Sequence, residues 1–450
     1  MDNLRDWGFN VVRLGVMWPG VAPTPQGFNS TYLRTMGEIV DNLGSRGIYT
    51  IIDMHQDLFS RYFCGEGVPD WAVPQNSTKP FPEPIFGPIP KDPQGYPNIT
   101  DCLDNKFSRY YFTDAVSSAF QSLYDNENGL QDQMINFWKE VASFFAGNPN
   151  VLGYELINEP WAGDIYTHPA YILDPGLSDR KNLQPMYQKI ATAIRTVDQG
   201  HIIFFEPAVS DYFHSGFTQG PQGPSYNYLQ AFSYHVYCGP STSTGDPTSI
   251  LLCNATDGYF FDTRKKDIQR LGTGHFLTEF GAMEGTTIGV ESIDFVTNQA
   301  DRLIESWAYW QFKNYNDITT VSGTTGGESF YLGNGQLDTD KVKALARTYA
   351  QFTSGLLLVH SFNPLTAVFT LSFNATQYES QPPYSETVIA YSQQFYYPTG
   401  VQVLIEPANA ATFVVTPRNI VVTLSPSHTP FTIVNVTVSP KTTTQAQINP

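Results

Sequence analysis

Apolar positions along the chain follow two rhythms, and the change between them divides it. Up to residue 352, short β-branched and aromatic runs alternate with segments of helical period, the pattern of repeated strand–helix units. The expected strands are VVRLGV (11–16), YTIIDM (49–54), VLGYELIN (151–158), IIFFEP (202–207), AFSYHVY (231–237), HFLTEFG (275–281) and SWAYWQF (306–312). Between them, Leu33, Met36, Val40 and Leu43 recur at helical spacing, with Gly44 and Gly47 marking the helix end. Residues 130–146 and 186–198 repeat that pattern.

From residue 353 the helical period is gone. TAVFTLSF sets Ala367, Phe369, Leu371 and Phe373 on one face at period two, and TVIAY, VQVLIEP, TFVVT, NIVVTL and FTIVNVTV follow at short spacing. The expected organisation is a (β/α)8-type barrel over 1–352, an antiparallel β-sandwich over 353–440 and a disordered tail over 441–450. Seven strands are legible where such a barrel has eight. A doubly wound sheet would require a nucleotide fingerprint such as GxGxxG, and none follows any strand.

Phe59 to Asn105 stands apart: proline-dense, and too long for an ordinary connection. Its apolar residues, among them Phe81, Ile85 and Phe86, are expected to face a lipid from an exposed loop.

With 41% hydrophobic residues in 450, the chain can bury a large core. A net charge of −17 and a pI near 4.8 argue against nucleic acid as a partner. The four cysteines form no CxxC pair and no zinc spacing; Cys64 with Cys102 and Cys238 with Cys253 would each close a loop-rich insertion, although connectivity stays open. Asn-x-Ser/Thr acceptors stand at Asn29, Asn76, Asn98, Asn254, Asn374 and Asn435. Paired cysteines and acceptors together suit a secreted, extracellular or lysosomal protein. No apolar leader precedes DNLRDWGFNVVRLG, and no run is long enough to span a membrane. The expected N-terminus is therefore a truncated one.

Barrel active sites lie at the C-terminal ends of the strands. Those ends carry Arg13, His55 with Asp57, Asn158 with Glu159, Glu206, His235 with Tyr237, Glu279, and Trp310. Each alone has a structural reading: Arg13 as an ion-pair partner, the histidines and Trp310 as core, Glu159-Pro160 as a helix start. Together they suit glycoside hydrolysis by two acids. Glu159, among Leu156, Ile157, Pro160 and Trp161, has the apolar setting of a general acid; Glu279 would stay ionised beside Arg13 and Tyr237. Glu206 is the strongest rival acid, and Glu155 reads as an interior structural carboxylate.

The ordered set LINEP and FLTEFG, with VVRLGV, DMHQD, YHVY and WAYWQF, resembles the clan A retaining glycosidases of glycoside hydrolase family 5. DMHQDLFSRYFCGEGVPDWAV, GYELINEPWAGD and FNPLTAVFTLSF narrow the resemblance to endoglycoceramidases, over nearly the whole chain. The resemblance implies an O-glycosyl hydrolase that cleaves oligosaccharide from ceramide in glycosphingolipids. It would use Glu159 as acid/base and Glu279 as nucleophile. Asn158 would bind the 2-hydroxyl, His55 and Asp57 other hydroxyls; Tyr237 would orient Glu279, and Trp310 would lie beneath the sugar, with His235 and Arg13 lining the site. No metal, organic cofactor or protein partner is implied, and membrane contact would be transient. The resemblance also implies a first barrel strand ahead of DNLRDWGFN, so the strand at Val11–Val16 is expected to present an unpaired edge. Two other readings stay open: a β-glucosidase acting on glucosylceramide or steryl glucoside, and an inactive truncated protein that binds glycan or lipid.

Overall fold

The computed structural model describes residues 1–210, 212–242, 244–313, 318–319, 327–375, 385–425 and 431–442. Seven parallel strands form one sheet in chain order: β1 (Val11–Gly15), β2 (Tyr49–Asp53), β3 (Val151–Glu155), β4 (Ile202–Phe205), β5 (Gln230–Val236), β6 (Gly274–Phe280) and β7 (Ser306–Trp307). This is a TIM-type barrel sheet of seven strands; among the described residues β1 pairs with β2 alone and is half-buried along its length. Parallel strands joined by helical crossovers give this order. The helices Ser30–Gly44, Leu130–Phe145 and Gln184–Arg195 lie close to the three predicted ones. In the first, Leu33, Met36, Val40 and Leu43 are the buried stripe, and Asn29 caps its N-terminus by accepting from the Tyr32 N–H.

Every barrel strand stops short of its predicted end. Past the regular strands the tips stay bonded to their neighbours: the Met54 N–H donates to the Glu155 carbonyl at 3.2 Å, the Leu156 N–H to the Phe204 carbonyl at 3.2 Å and the Asn158 N–H to the Met54 carbonyl at 3.1 Å. Within the strand, Gly153 allows the close approach of β4: a Cβ there would lie 2.2 Å from the Ile202 carbonyl oxygen.

The chain divides into two compact units, 11–283 with 307–334, and 1–10 with 284–306 and 335–450. The second therefore holds more than the predicted sandwich. It includes the helix Thr287–Leu303 and two strands missed in the sequence, β8 (Tyr349–Phe352) and β9 (Leu356–Asn363), so the sandwich starts before residue 353. It continues with β10 (Val368–Ala375), β11 (Glu386–Ala390), β12 (Val401–Glu406), β13 (Ala411–Val415), β14 (Asn419–Leu424) and β15 (Thr432–Pro440), in antiparallel sheets of order β12-β15-β10-β9 and β13-β14-β11-β8. Phe369, Leu371 and Phe373 of β10 lie in its core with Ile389, Val422 and Val436. In the same unit the buried Asp301 accepts from Arg347 Nη2 at 2.7 Å and from the Phe362 N–H at 3.2 Å, tying that helix to β9. The expected tail lies, from residue 443, outside the described residues.

Both cysteine pairs, Cys64–Cys102 and Cys238–Cys253, are disulfides. The long loop differs from expectation. Phe59, Phe63, Val68 and Phe81 are buried, and Phe81 packs on Phe63 and Tyr110 with ring centroids 5.6 and 5.4 Å away. Phe86 leans on Tyr110, and Ile85 is only half-exposed. The apolar residues of this loop build its own small core, so Phe81 is not a lipid-facing group. Phe81→Ala should cost about 3–5 kcal/mol, as for other buried aromatics. Chemical denaturation of the two proteins side by side measures this, and an unchanged midpoint would show that the loop core contributes nothing.

Candidate active site

Side chains from the seven strands and their tips converge at one end of the sheet, around the guanidinium of Arg13. On β1, Arg13 is a half-buried backbone position whose side chain is 5% exposed. Its Nε donates to Glu155, Nη1 to Glu279 Oε1 at 2.5 Å and Nη2 to Asn158 Oδ1 at 2.8 Å, with Asp53 Oδ1 3.1 Å from Nη2. Asp53 and Glu155 face each other in the β2–β3 register, which places both carboxylates against this cation. Burial works against the charge, but Asp53, Glu155 and Glu279 hold the guanidinium well above its ordinary value.

A second cation forms at His55. Its Nδ1 lies 2.8 Å from Asp53 Oδ2 and its Nε2 3.6 Å from Asp57 Oδ2. Burial lowers the pKa, yet the two carboxylates outweigh it and raise it well above the usual histidine value. The imidazolium ring stacks on Trp310 at 5.0 Å, with 6° between planes. Asp57 also accepts from the Tyr111 hydroxyl at 3.2 Å.

Glu279 Oε1 takes the Arg13 hydrogen bond and Oε2 that of the Tyr237 hydroxyl at 2.8 Å. Burial raises the Glu279 pKa; the Arg13 guanidinium pulls it the other way. Burial likewise keeps the Tyr237 phenol protonated, its pKa well above the ordinary value, so it remains a donor.

Glu159 sits differently. No cation contacts it directly; its Oε1 lies 2.8 Å from His235 Nδ1. His235 is pulled down to about 4 by burial and is neutral. Its Nε2 has no hydrogen-bond partner among the described residues, while Nδ1 faces Glu159, Glu206 at 3.5 Å and Glu279 at 3.4 Å. That assigns the ring proton to Nδ1, where acceptors surround it. Burial raises the Glu159 pKa above the ordinary carboxylate value. An oxygen of Glu159 and one of Glu279 lie within 4.8 Å of each other.

The backbone at Glu159 has φ +38°, in the left-handed region that non-glycine residues seldom occupy. It is held from both sides. The Glu159 N–H donates to Glu206 Oε2 at 2.8 Å, and Gln56 Nε2 donates to the Glu159 carbonyl at 3.0 Å and to the Asn158 carbonyl at 2.6 Å. Asn158 Nδ2 answers with a bond to the Gln56 carbonyl at 2.9 Å. Proline follows because the turn must leave the sheet, and Trp161 anchors it by donating to Ser117 Oγ at 3.1 Å and stacking on Tyr111.

All nine predicted non-cysteine site residues thus stand on one unit, and Arg13, Glu155, Asn158, Glu159, His235, Tyr237 and Glu279 form one contact network. Asp53, Gln56 and Glu206 are the partners the sequence reading left without roles in it. Asp53 and Gln56 flank His55, and inward alternation from Ile51 through Asp53 to His55 was the signal for the first. His55, Asp57 and Glu66 offer atoms within 4.8 Å of one another, as do Glu155, Glu206 and His235, the spacing a metal would need.

Comparison with known proteins agrees with this architecture. Residues 1–316 match the family Cellulase (glycosyl hydrolase family 5), and residues 347–438 match the glycoside hydrolase family 5 C-terminal domain. An endoglycoceramidase of Cyanea nozakii is 36% identical over 423 residues, covering 94% of this chain and 80% of that protein. One from Hydra vulgaris is 37% identical over 415 residues, covering 90% and 74%. The solved structure of endo-glycoceramidase II from Rhodococcus sp. in its ganglioside GM3 complex has a TM-score of 0.74 at 23% identity, over 98% of this chain and 91% of that one, a likeness of fold. With the family matched over most of its length and relatives above 30% identity along nearly all of it, the chain belongs to glycoside hydrolase family 5, as an endoglycoceramidase-like member.

Proposed function

We propose that this protein hydrolyses the β-glycosidic bond between oligosaccharide and ceramide in glycosphingolipids, retaining anomeric configuration. The observation that carries the reaction type is the Glu159–Glu279 pair with oxygens within 4.8 Å. Retaining enzymes hold their carboxyl groups about 5–5.5 Å apart, whereas inverting ones leave about 6.5–9.5 Å for a water. Unequal surroundings support the two roles. Glu279 accepts from Arg13 and Tyr237, which favours its anion as nucleophile. Glu159 is buried with no cation in contact, which favours its protonated form as acid.

In the first step Glu279 attacks the anomeric carbon while Glu159 gives its proton to the departing ceramide oxygen. In the second, Glu159 takes a proton from water, whose oxygen attacks the same carbon and releases Glu279. The relatives' name supports the substrate class. Assay of a ganglioside beside glucosylceramide tests it: intact oligosaccharide and ceramide should appear from the first, and action on glucosylceramide alone would favour the β-glucosidase reading.

Secretion or lysosomal residence is supported by the two disulfides and by exposed acceptors at Asn29, Asn76, Asn98 and Asn435; Asn254 and Asn374 have buried, unpartnered Oδ1 atoms. Peptide mass analysis of protein from a secreting host, with no glycan on any of the four, would remove the second support. No helix among the described residues is long and apolar enough to cross a membrane. Transient contact with a lipid surface is supported by Tyr212 and Phe213 beyond β4, 69% and 57% exposed. Replacing both with serine should reduce vesicle binding, and unchanged binding would remove that role.

Glu279→Gln should abolish turnover of every substrate, since no covalent intermediate forms. Glu159→Gln should spare the first step for aryl glycosides with good leaving groups while losing about 10²–10⁴-fold on ceramide-linked glycans. Single-turnover kinetics on both substrates distinguishes these losses; the reverse pattern would exchange the assignments.

The pH profile follows from the same groups. Glu279 works ionised, so activity falls as pH drops through its pKa; Glu159 works protonated, so activity falls as pH rises through its own. Both are raised by burial, which moves the bell upward from the ordinary carboxylate range. Tyr237→Phe removes a donor to the Glu279 anion, and its acid limb should shift to higher pH. An unmoved acid limb in kcat/KM would show that Tyr237 does not set that ionisation.

A further inference from the structure

Glu206 has no part in the two chemical steps, yet it is 3% exposed and lies directly beneath the acid. Its Oε2 accepts the Glu159 N–H at 2.8 Å, and its backbone carbonyl accepts from the Tyr187 hydroxyl at 2.8 Å, fixing the chain at the end of β4. A left-handed non-glycine residue persists only where surrounding bonds over-determine it. At Glu159 those bonds are two: Gln56 on the carbonyl and Glu206 on the N–H.

We propose that Glu206 is a positioning residue for the acid/base, holding through its Oε2 the left-handed turn that aims the Glu159 carboxyl at the leaving oxygen. The proposal rests on the reading of Glu159 as that acid. The groups facing Glu206 are Glu155 and Glu159 from β3 and its tip, His235 from β5 with Nδ1 3.5 Å from Oε1, and Arg13 from β1. Arg13 is engaged by Asp53, Glu155 and Glu279, and His235 is neutral. Glu206 thus sits between two other carboxyl groups with no cation in contact, and burial with both neighbours raises its pKa well above the ordinary value. It acts as a neutral acid whose Oε2 accepts from the backbone. In that form it adds no charge beside Glu159 when the latter ionises between the two steps.

A neutral carboxyl and a carboxamide present the same acceptor and a similar donor, whereas a carboxylate and a carboxamide do not. Glu206→Gln should therefore recover what Glu206→Met loses. The test measures kcat/KM for two aryl β-lactosides, one with a dinitrophenyl and one with a methoxyphenyl leaving group. Glu206→Met should lose about ten- to hundredfold more on the methoxyphenyl substrate, because only that one needs the proton. The ratio between substrates does not depend on how much protein is folded, and Glu206→Asp, whose shorter carboxyl withdraws the acceptor, serves if the methionine variant fails to fold. Glu206→Gln should restore the ratio and leave the alkaline limb of the pH profile in place. Equal losses on both substrates from Glu206→Met would overturn the positioning role. An alkaline limb moved to lower pH in Glu206→Gln would overturn the neutral carboxyl, since removing an anion lowers the Glu159 pKa. Glu159→Gln measured in parallel separates the two readings: a leaving-group dependence there without one in Glu206→Met overturns this inference alone, while none in Glu159→Gln removes the acid assignment with it.

Discussion

One guanidinium governs this site. Arg13 is surrounded by Asp53, Glu155 and Glu279 and the His55 imidazolium by Asp53 and Asp57; with Glu159 and Glu206, six buried or half-buried carboxyl groups crowd two cations. Two cations cannot neutralise six anions in a medium of low dielectric, so some of those groups must carry protons. Geometry decides which. Asp53, Glu155 and Glu279 touch Arg13, and Asp53 and Asp57 approach His55. Glu159 and Glu206 touch neither, and their neighbour His235 is neutral. On the roles proposed above, the difference between an ionised nucleophile and a protonated acid arises from distance to a single side chain rather than from any property of glutamate.

This arrangement also explains why an arginine is required. Its planar fork reaches Glu155, Glu279 and Asn158 in fixed directions, which a lysine's single ammonium would not do. It thereby sets the relative positions of β1, β3 and β6 at the end where chemistry occurs, and the fold and the charge pattern share one support.

The strand tips were readable because a parallel barrel delivers its side chains in chain order, and seven tips carried polar or aromatic residues beside apolar runs. Glu206 was legible as an acid but not as a partner, since its bond goes to a backbone N–H, which leaves no mark on residue type. Gln56 escaped for the same reason. The proline-dense loop misled because aromatic residues among turns look alike whether they face solvent or one another; Phe81 on Tyr110 is a contact between residues far apart in sequence. β9 was missed because Leu356, Leu358 and Val359 are exposed and only Phe362 is buried, so its apolar residues do not alternate. β10, with a clean period of two, was found.

The left-handed backbone at Glu159 has a further meaning for how such a protein is improved or degraded over generations of substitution. A residue at φ +38° carries strain of order 1–3 kcal/mol that glycine or asparagine would relieve. On the role proposed for Glu159, a replacement that relieves this strain would also remove the acid, so stability and activity pull in opposite directions at this one position.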